Sequence, residues 1–231
     1  MWTAYLFIAI FGVSSYLLKK LTLSGSIAGS ILAGLLYHAF SWAGLIILIT
    51  FFVFANLATR WKRNTKRRLP GAEMEEGIRS WPNVLGNGGI AGILAIVAAL
   101  WPQYRDLCMV MAASAFATAC SDTLSSELGN IYGKRFIYVL GGKGIRGNNG
   151  VISPEGTAFG FLGALLVAIS IYPFMNTLQT VVIITIAGFA GNLTDTFLGA
   201  ILENKGIINN HQVNALATAS GAILGALLHI F

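Results

Sequence analysis

The chain has 231 residues, 55% of them hydrophobic and only 10% charged, with a mean hydropathy of +0.71. Soluble domains carry about a quarter charged residues, so this composition excludes an ordinary water-soluble globule. A net charge of +6 could suit nucleic acid, but a membrane protein uses basic residues first to set its orientation, and nucleic acid is set aside as a partner.

Measured against the ~20 residues that cross a hydrocarbon core, apolar runs fall at 2–18, 24–38, 42–58, 84–100, 107–121, 156–171, 181–198 and 216–231. They predict an all-α, polytopic helix bundle of about eight spans, forming one membrane domain over 1–231. The runs 24–38 and 107–121 are short, so seven spans with one re-entrant segment is the alternative. No signal peptide is expected, because the first run lacks a basic leading flank and a small-residue cleavage site; Lys19 and Lys20 follow it instead.

Those lysines open a lopsided pattern. Alternate connections hold Lys19 and Lys20, then Arg60, Lys62, Arg63, Lys66, Arg67, Arg68 and Arg79, then Lys134, Arg135, Lys143 and Arg146, then Lys205. Fourteen of the 15 Lys and Arg residues thus share one face, and only Arg105 falls on the other. Cytoplasmic loops collect Lys and Arg. The sequence therefore predicts a protein of the cytoplasmic membrane with both termini outside and its long, polar connections in the cytoplasm.

In chain order, the Arg60–Arg68 run reads as an orientation signal that also contacts anionic membrane lipid. Arg79-Ser80-Trp81-Pro82-Asn83-Val84-Leu85-Gly86-Asn87-Gly88 sets one Arg and two amides at a span mouth. Cys108 and Cys120 read as buried small hydrophobes without disulfide or zinc spacing. Ser121-Asp122-Thr123-Leu124-Ser125-Ser126-Glu127-Leu128-Gly129 carries the strongest signal. A carboxylate at the end of a membrane span is costly unless paired, hydrated or metal-bound. On a continuous helix Asp122, Ser125, Ser126 and Gly129 share a face, whereas Glu127 lies about 140° from Asp122. A capped helix end is the structural alternative.

Gly141-Gly142-Lys143-Gly144-Ile145-Arg146-Gly147-Asn148-Asn149-Gly150 is a glycine-rich basic loop, not a Walker A loop. Converging backbone N–H groups with Lys and Arg suit a phosphate, while a flexible linker is the alternative. Asp195, within Asn192-Leu193-Thr194-Asp195-Thr196, lies near the inner end of the seventh run with Glu203 two turns on. Hard oxygen ligands suit Mg²⁺, with Asp122 and Asp195 as the natural pair and a salt bridge to Lys as the alternative. His38 and His229 read as interfacial, and His211 as a polar loop residue.

Two segments share a pattern, from Gly86-Asn87-Gly88-Gly89 to Asp122 and from Gly147-Asn148-Asn149-Gly150 to Asp195. Two intervening spans in each case predict a parallel internal repeat, with halves 84–129 and 147–203. Glycine-rich helices that merely look alike are the alternative.

At these residues the sequence resembles an integral-membrane family, long of unknown function, that includes the plant phytyl-phosphate kinase. The resemblance rests on Arg79 with Val84-Leu85-Gly86-Asn87-Gly88, on Ser121 to Gly129, on Asn149-Gly150 with Ser153 and Gly156-Thr157, and on Thr194-Asp195-Thr196 with Leu198-Gly199-Ala200 and Val213-Asn214. Asn83 stands where the family pattern has Gln, and Val151 where it has a second Gly. The resemblance implies a CTP-dependent kinase that converts an isoprenyl monophosphate such as phytyl or geranylgeranyl phosphate to the diphosphate. It implies Mg²⁺ on Asp122, Glu127 and Asp195 as catalytic residues. Nucleotide or phosphate contacts would come from Lys143, Arg146, Asn148, Asn149, Gly150, Ser153, Arg79 and Asn87, and lipid-substrate contacts from Asn83, Asn192 and Asn214. A cytidylyltransferase making an activated lipid, and a transporter of a small anion or lipid phosphate, remain the competing readings. A homo-oligomer stays open.

Overall fold

The structure is a computed structural model that describes residues 2–66 and 77–231. Arg67 and Arg68 of the basic run lie outside the described residues. Eight long helices follow one another: α1 (Trp2–Leu17), α2 (Leu23–Phe40), α3 (Trp42–Arg60), α4 (Trp81–Leu100), α5 (Arg105–Tyr132), α6 (Pro154–Met175), α7 (Leu178–Leu198) and α8 (Asn210–Ile230). A single turn at Arg63–Lys66 follows α3, and a π-helical turn, Gly199–Glu203, extends α7.

Among the described residues seven helices, α2 to α8, are long and apolar enough to cross a membrane. The two runs that looked short are not. α2 has 18 residues and α5 has 28, the longest of all. Hydropathy fades after Ser121, but nothing breaks the helix there, and Asp122 to Tyr132 continue it as a polar extension. The short helix is α1, whose 16 residues reach about 24 Å at 1.5 Å per residue, under the ~30 Å of hydrocarbon.

Local chemistry sets the helix starts. Thr22 caps α2 by accepting from Gly25 N at 3.1 Å, and Ser153 caps α6 by accepting from Gly156 N at the same distance, with Pro154 next. Asn209 and Gln212 form a reciprocal capping box on α8. Each such cap satisfies backbone donors that the first turn leaves unpaired.

α5 is the central pillar, packed against α3, α4, α6, α7 and α8. Its residues Ala112 to Ser121 are buried without a gap, as expected of a helix apolar on all sides. They are mostly Ala, Ser and Thr, and glycines of the neighbours meet them: Gly163 of α6 lies on Cys120, Gly188 and Gly191 of α7 on Ala117 and Thr118, and Gly221 of α8 on Thr118. A Cβ at Gly163 would stand 2.8 Å from the Cys120 carbonyl oxygen, so the backbones touch as small residues permit. Cys108 and Cys120 are free and buried.

The pairing of 117 with 188 and of 118 with 191 shows that α5 and α7 run parallel, while α6 and α8 run against them. Asp122 and Asp195 therefore emerge at the same end of the bundle. α1 and α3 run the same way as α5: Phe7–Trp42 and Phe11–Phe52 align α1 with α3, and Phe51–Phe116 with Trp61 Nε1 donating to Tyr132 Oη at 2.8 Å align α3 with α5. Both chain ends consequently lie at the face opposite the two aspartates. The leading parts of the proposed repeat differ in setting: Gly86 to Gly89 lie inside α4, whereas Gly147 to Gly150 lie in a loop.

That loop is an ordered hairpin. Strands β1 (Ile137–Tyr138) and β2 (Val151–Ile152) pair antiparallel, Ile137 opposite Ile152 and Tyr138 opposite Val151. Gly144 N donates to Phe136 O at 3.0 Å and Val139 N to Gly150 O at 2.8 Å, which ties the glycine-rich segment to its own base.

Candidate active site

At the end of the bundle where α5 and α7 carry their aspartates, a polar cavity of about 190 Å³ opens beneath the hairpin. Asp122, Ser125, Ser126 and Gly129 of α5 all line it, the four residues that helical spacing puts on one face. Asn192, Asp195 and Thr196 of α7 line a second wall, and Gly199 and Glu203 of the π turn continue it. Gly147 to Ile152 form the roof, and Ser153, Gly156 and Thr157 at the start of α6 close the side. Asn210, at the start of α8, completes it.

Helix packing fixes these side chains. Ser125 Oγ donates to the Asp122 carbonyl at 3.0 Å and lies 3.5 Å from Asn192 Oδ1, bridging α5 to α7. The hairpin is docked on the π turn: Tyr138 Oη donates to Ala200 O at 3.2 Å, and Asn204 Nδ2 to Asn149 O at 3.2 Å. Gly150 makes the docking possible. Its φ is +78°, and a Cβ there would lie 2.9 Å from Ala200 Cα.

The electrostatics are unusual. Arg79 is the opposite charge acting on Asp122, Glu127 and Glu203 act on it as like charges, and Asp122 and Glu203 act as like charges on Asp195. No Lys or Arg is among the residues that line the cavity. Asp195 Oδ2 is buried with no hydrogen-bond partner among the described residues. A cluster of carboxylates with an unmatched buried oxygen is costly without a cation. Among the described residues no three acidic, His or Cys side chains converge into a closed metal cage. Mg²⁺ does not need one, because it takes one or two carboxylates and keeps waters or substrate phosphates. The donor set fits that ion.

Several sequence-predicted residues are elsewhere. Glu127 does not line the cavity; it forms an ion pair with Lys66, since α5 continues past it and turns it away from Asp122. Lys143 is exposed on the hairpin, and Arg146 donates to Gly133 O at 3.0 Å with its guanidinium 4.8 Å over the Phe136 ring. Neither reaches the lining, because the hairpin's internal hydrogen bonds direct the backbone, not the basic side chains, over the cavity. Asn148, Asn149, Gly150 and Ser153 do line it.

Arg79, Asn83, Asn87 and Asn214 lie outside the lining. Asn83 Oδ1 accepts from Ser80 N at 2.9 Å, and Asn87 Nδ2 donates to Asn83 O at 2.9 Å. Asn214 is buried against Gly86. Of the three amides predicted to meet lipid, only Asn192 reaches the polar cavity. His211 is not in a loop: it sits in the first turn of α8 with Nδ1 buried and without a hydrogen-bond partner among the described residues.

Glu203, with Asn130 and Asn210, is what the sequence left unassigned. Eight residues beyond Asp195, it would stand about 80° off that residue's direction on an ideal α-helix. The wider i→i+5 turn, marked by Asn204 N donating to Gly199 O at 3.1 Å, changes that angle. Such turns gather at functional sites.

Residues 6–222 match the family described as integral membrane protein DUF92. The chain belongs to this family. An uncharacterized membrane protein of Methanocaldococcus jannaschii is 34% identical over 226 residues, 96% of this chain and 92% of that protein. Protein VTE6, chloroplastic, of Arabidopsis thaliana is 31% identical over 227 residues, 94% of this chain and 68% of that protein. Protein PGR of the same plant is 28% identical over 217 residues, 83% of this chain and 75% of that protein. No solved structure matches.

Proposed function

We propose that this protein is a membrane kinase that transfers the γ-phosphoryl group of a nucleoside triphosphate, CTP by family resemblance, to the phosphate of an isoprenyl monophosphate. One observation carries the reading: Asp122, Asp195 and Glu203 converge from α5, α7 and the π turn on a single cavity roofed by glycine-rich backbone. Its likeness to Protein VTE6 and the motifs shared with the phytyl-phosphate kinase family support the substrate class.

Phosphoryl transfer asks a protein for positioning and charge neutralisation rather than covalent chemistry. A phosphate monoester has a second pKa of about 6, so the acceptor arrives as an anion and needs no general base. A non-bridging oxygen of that phosphate attacks the γ-phosphorus; the new P–O bond forms as the β–γ bridging P–O bond breaks, and CDP departs with the bridging oxygen and its electron pair. Asp122 and Asp195 would hold Mg²⁺, with Glu203 adding negative charge on the same cavity; the ion when bound supplies positive charge to phosphate oxygens. Asn148, Asn149 and the Gly147 and Gly150 amides, with the capped start of α6, orient the donor phosphates. Asn192, held by Ser125, positions the acceptor phosphate.

We place the cavity at the cytoplasmic face, where the basic connections lie and CTP is available. The deciding experiment incubates detergent-purified protein with Mg²⁺, each nucleoside triphosphate, and phytyl, geranylgeranyl or farnesyl monophosphate, followed by mass spectrometry. Diphosphate lipid plus nucleoside diphosphate is the expected outcome. A CDP-lipid with pyrophosphate would replace the kinase by a cytidylyltransferase, and no conversion by folded protein would sink the reading.

A further inference from the structure

The polar cavity has two unlike ends. Asp122, Asp195 and the buried Asn192 hold its floor. Ser126, Asn130 and Phe136 line the other end; Ser126 is exposed and the other two are half-buried, which makes this end the mouth. From Asp122 to Asn130, eight residues of α5 rise about 12 Å.

Phe136 is a fixed platform. The tip of its ring, Cζ, fills the space that Gly133 leaves, where a Cβ would stand 2.7 Å away. Arg146 sets its guanidinium 4.8 Å over the ring and is itself held by donating to Gly133 O at 3.0 Å. Phe136 lines the cavity and Arg146 does not, so the cation backs the ring. Cation–π attraction and the contact at Gly133 together hold the ring in one orientation. Asn130 lies one turn before Gly133 and brings an amide, donor and acceptor at once, to the same mouth.

The two ends ask for different parts of one molecule. Carboxylates suited to Mg²⁺ call for a chelating polyanion, and the glycine-rich backbone above them offers N–H groups to its oxygens. An aromatic ring beside an amide calls for a planar ring with hydrogen-bonding edges, because every nucleobase has a π-face that stacks on aromatic side chains. A nucleoside polyphosphate carries both parts, joined by a sugar. Its phosphates enter the inner part of the cavity, and its base stays at the open mouth.

We infer that Phe136 and Asn130 form the base subsite of the donor, Phe136 stacking on the ring and Asn130 hydrogen-bonding its edge, with Arg146 as a positioning residue behind Phe136. This rests on the kinase reading for the transfer step, but the subsite itself requires only that a nucleoside triphosphate binds.

The test is calorimetric titration of the full-length protein in detergent with Mg²⁺ and no lipid acceptor. It compares CTP with inorganic tripolyphosphate, which has the chelating end and no base. Wild-type protein should bind CTP at least ~5-fold more tightly, the scale of one stacked base. Phe136→Leu should remove that preference and leave tripolyphosphate affinity unchanged, and Phe136→Tyr should restore it. Asn130→Ala should change the ranking of CTP, UTP, ATP and GTP, again without moving tripolyphosphate. Equal affinity of the wild type for CTP and tripolyphosphate, or a CTP preference kept in Phe136→Leu, would overturn the assignment. So would an equal loss of both ligands in a variant with the wild-type thermal midpoint. Because binding needs no acceptor, the expected pattern without any diphosphate lipid in the full assay would discard the kinase and keep the subsite. Phosphoryl transfer with an unchanged KM for CTP in Phe136→Leu would do the reverse.

Discussion

The two halves of the bundle treat polarity in opposite ways. In the half built on α5 to α8, three carboxylates share one cavity, and glycines let the helices close on a pillar of Ala, Ser and Thr. In the half built on α1 to α4, the cavity is apolar, and Arg79 is the one charged residue of its lining. Dense packing and charged chemistry go together because like charges repel, and only a frame that cannot relax keeps them converged. The α1–α4 half is packed closely too, since a Cβ at Gly25 or Gly44 would stand within 2.5 Å of a neighbouring carbonyl oxygen; what differs is that its cavity is lined by apolar side chains. The contrast assigns the reaction to the α5–α8 side, and the variants below test that assignment.

Removing a carboxylate should produce the largest effect. Asp122→Asn and Asp195→Asn are each expected to lower kcat for isoprenyl monophosphate phosphorylation by at least ~100-fold, the scale on which a single group that stabilises developing charge is felt. Thermal midpoints in detergent should hold or rise, since each change relieves repulsion inside the cavity. Wild-type turnover in Asp122→Asn would end the metal assignment. Glu203→Gln comes next, with a fall of ~10 to 100-fold and a higher Mg²⁺ requirement, read by titrating the metal at saturating nucleotide.

How much of this was legible depended on whether the relevant geometry is local. Asp122, Ser125, Ser126 and Gly129 share a face because three- and four-residue spacing fixes it, and the structure puts all four on the cavity. The same spacing already turned Glu127 away from Asp122. Glu203 was visible as a residue but not as a partner, because its direction depends on a π turn that no short-range pattern announces. The basic side chains misled for another reason. Lys143 and Arg146 carry the charge of the glycine loop, but the hairpin's own hydrogen bonds decide what it presents, and it presents amide and Asn groups. Span lengths failed where hydropathy and helicity part company: α5 runs eleven residues past Ser121 because polar side chains at a membrane surface do not break a helix. Arg79 and Asn83 were legible as a span mouth, yet their place beside Phe51 on an apolar cavity needed the packing of four helices.

Glycine substitutions test the packing at two chosen positions. Gly163→Ala would put a Cβ 2.8 Å from the Cys120 carbonyl, a backbone atom that cannot step aside. A loss of about 1–3 kcal/mol is expected, measured as a lower thermal midpoint in detergent. Gly34→Ala in α2 meets nothing within 4 Å and gains helix propensity worth up to ~1 kcal/mol, so its midpoint should hold or rise. Equal losses in both would mean that the α2 surface at Gly34 is packed as closely as the α5–α6 contact.

The smallest effect should come from Glu127, although it stands in the motif that resembles the kinase family most closely. Its ion pair with Lys66 joins the end of α5 to the turn after α3, and both side chains keep contact with solvent, at 15% and 26% exposure. Pairs of that kind contribute about 0–1 kcal/mol. Lys66 Nζ also donates to Ala58 O at 2.7 Å and Thr59 O at 3.0 Å, so Glu127→Gln leaves the ammonium with partners rather than stranding it. Stability should fall by under ~1 kcal/mol and kcat by less than ~3-fold, whereas Glu203→Gln under the same assay loses far more. Were the two results to exchange places, the third carboxylate of the site would be Glu127, and α5 would have to rotate or end early in the working enzyme to bring it to Asp122.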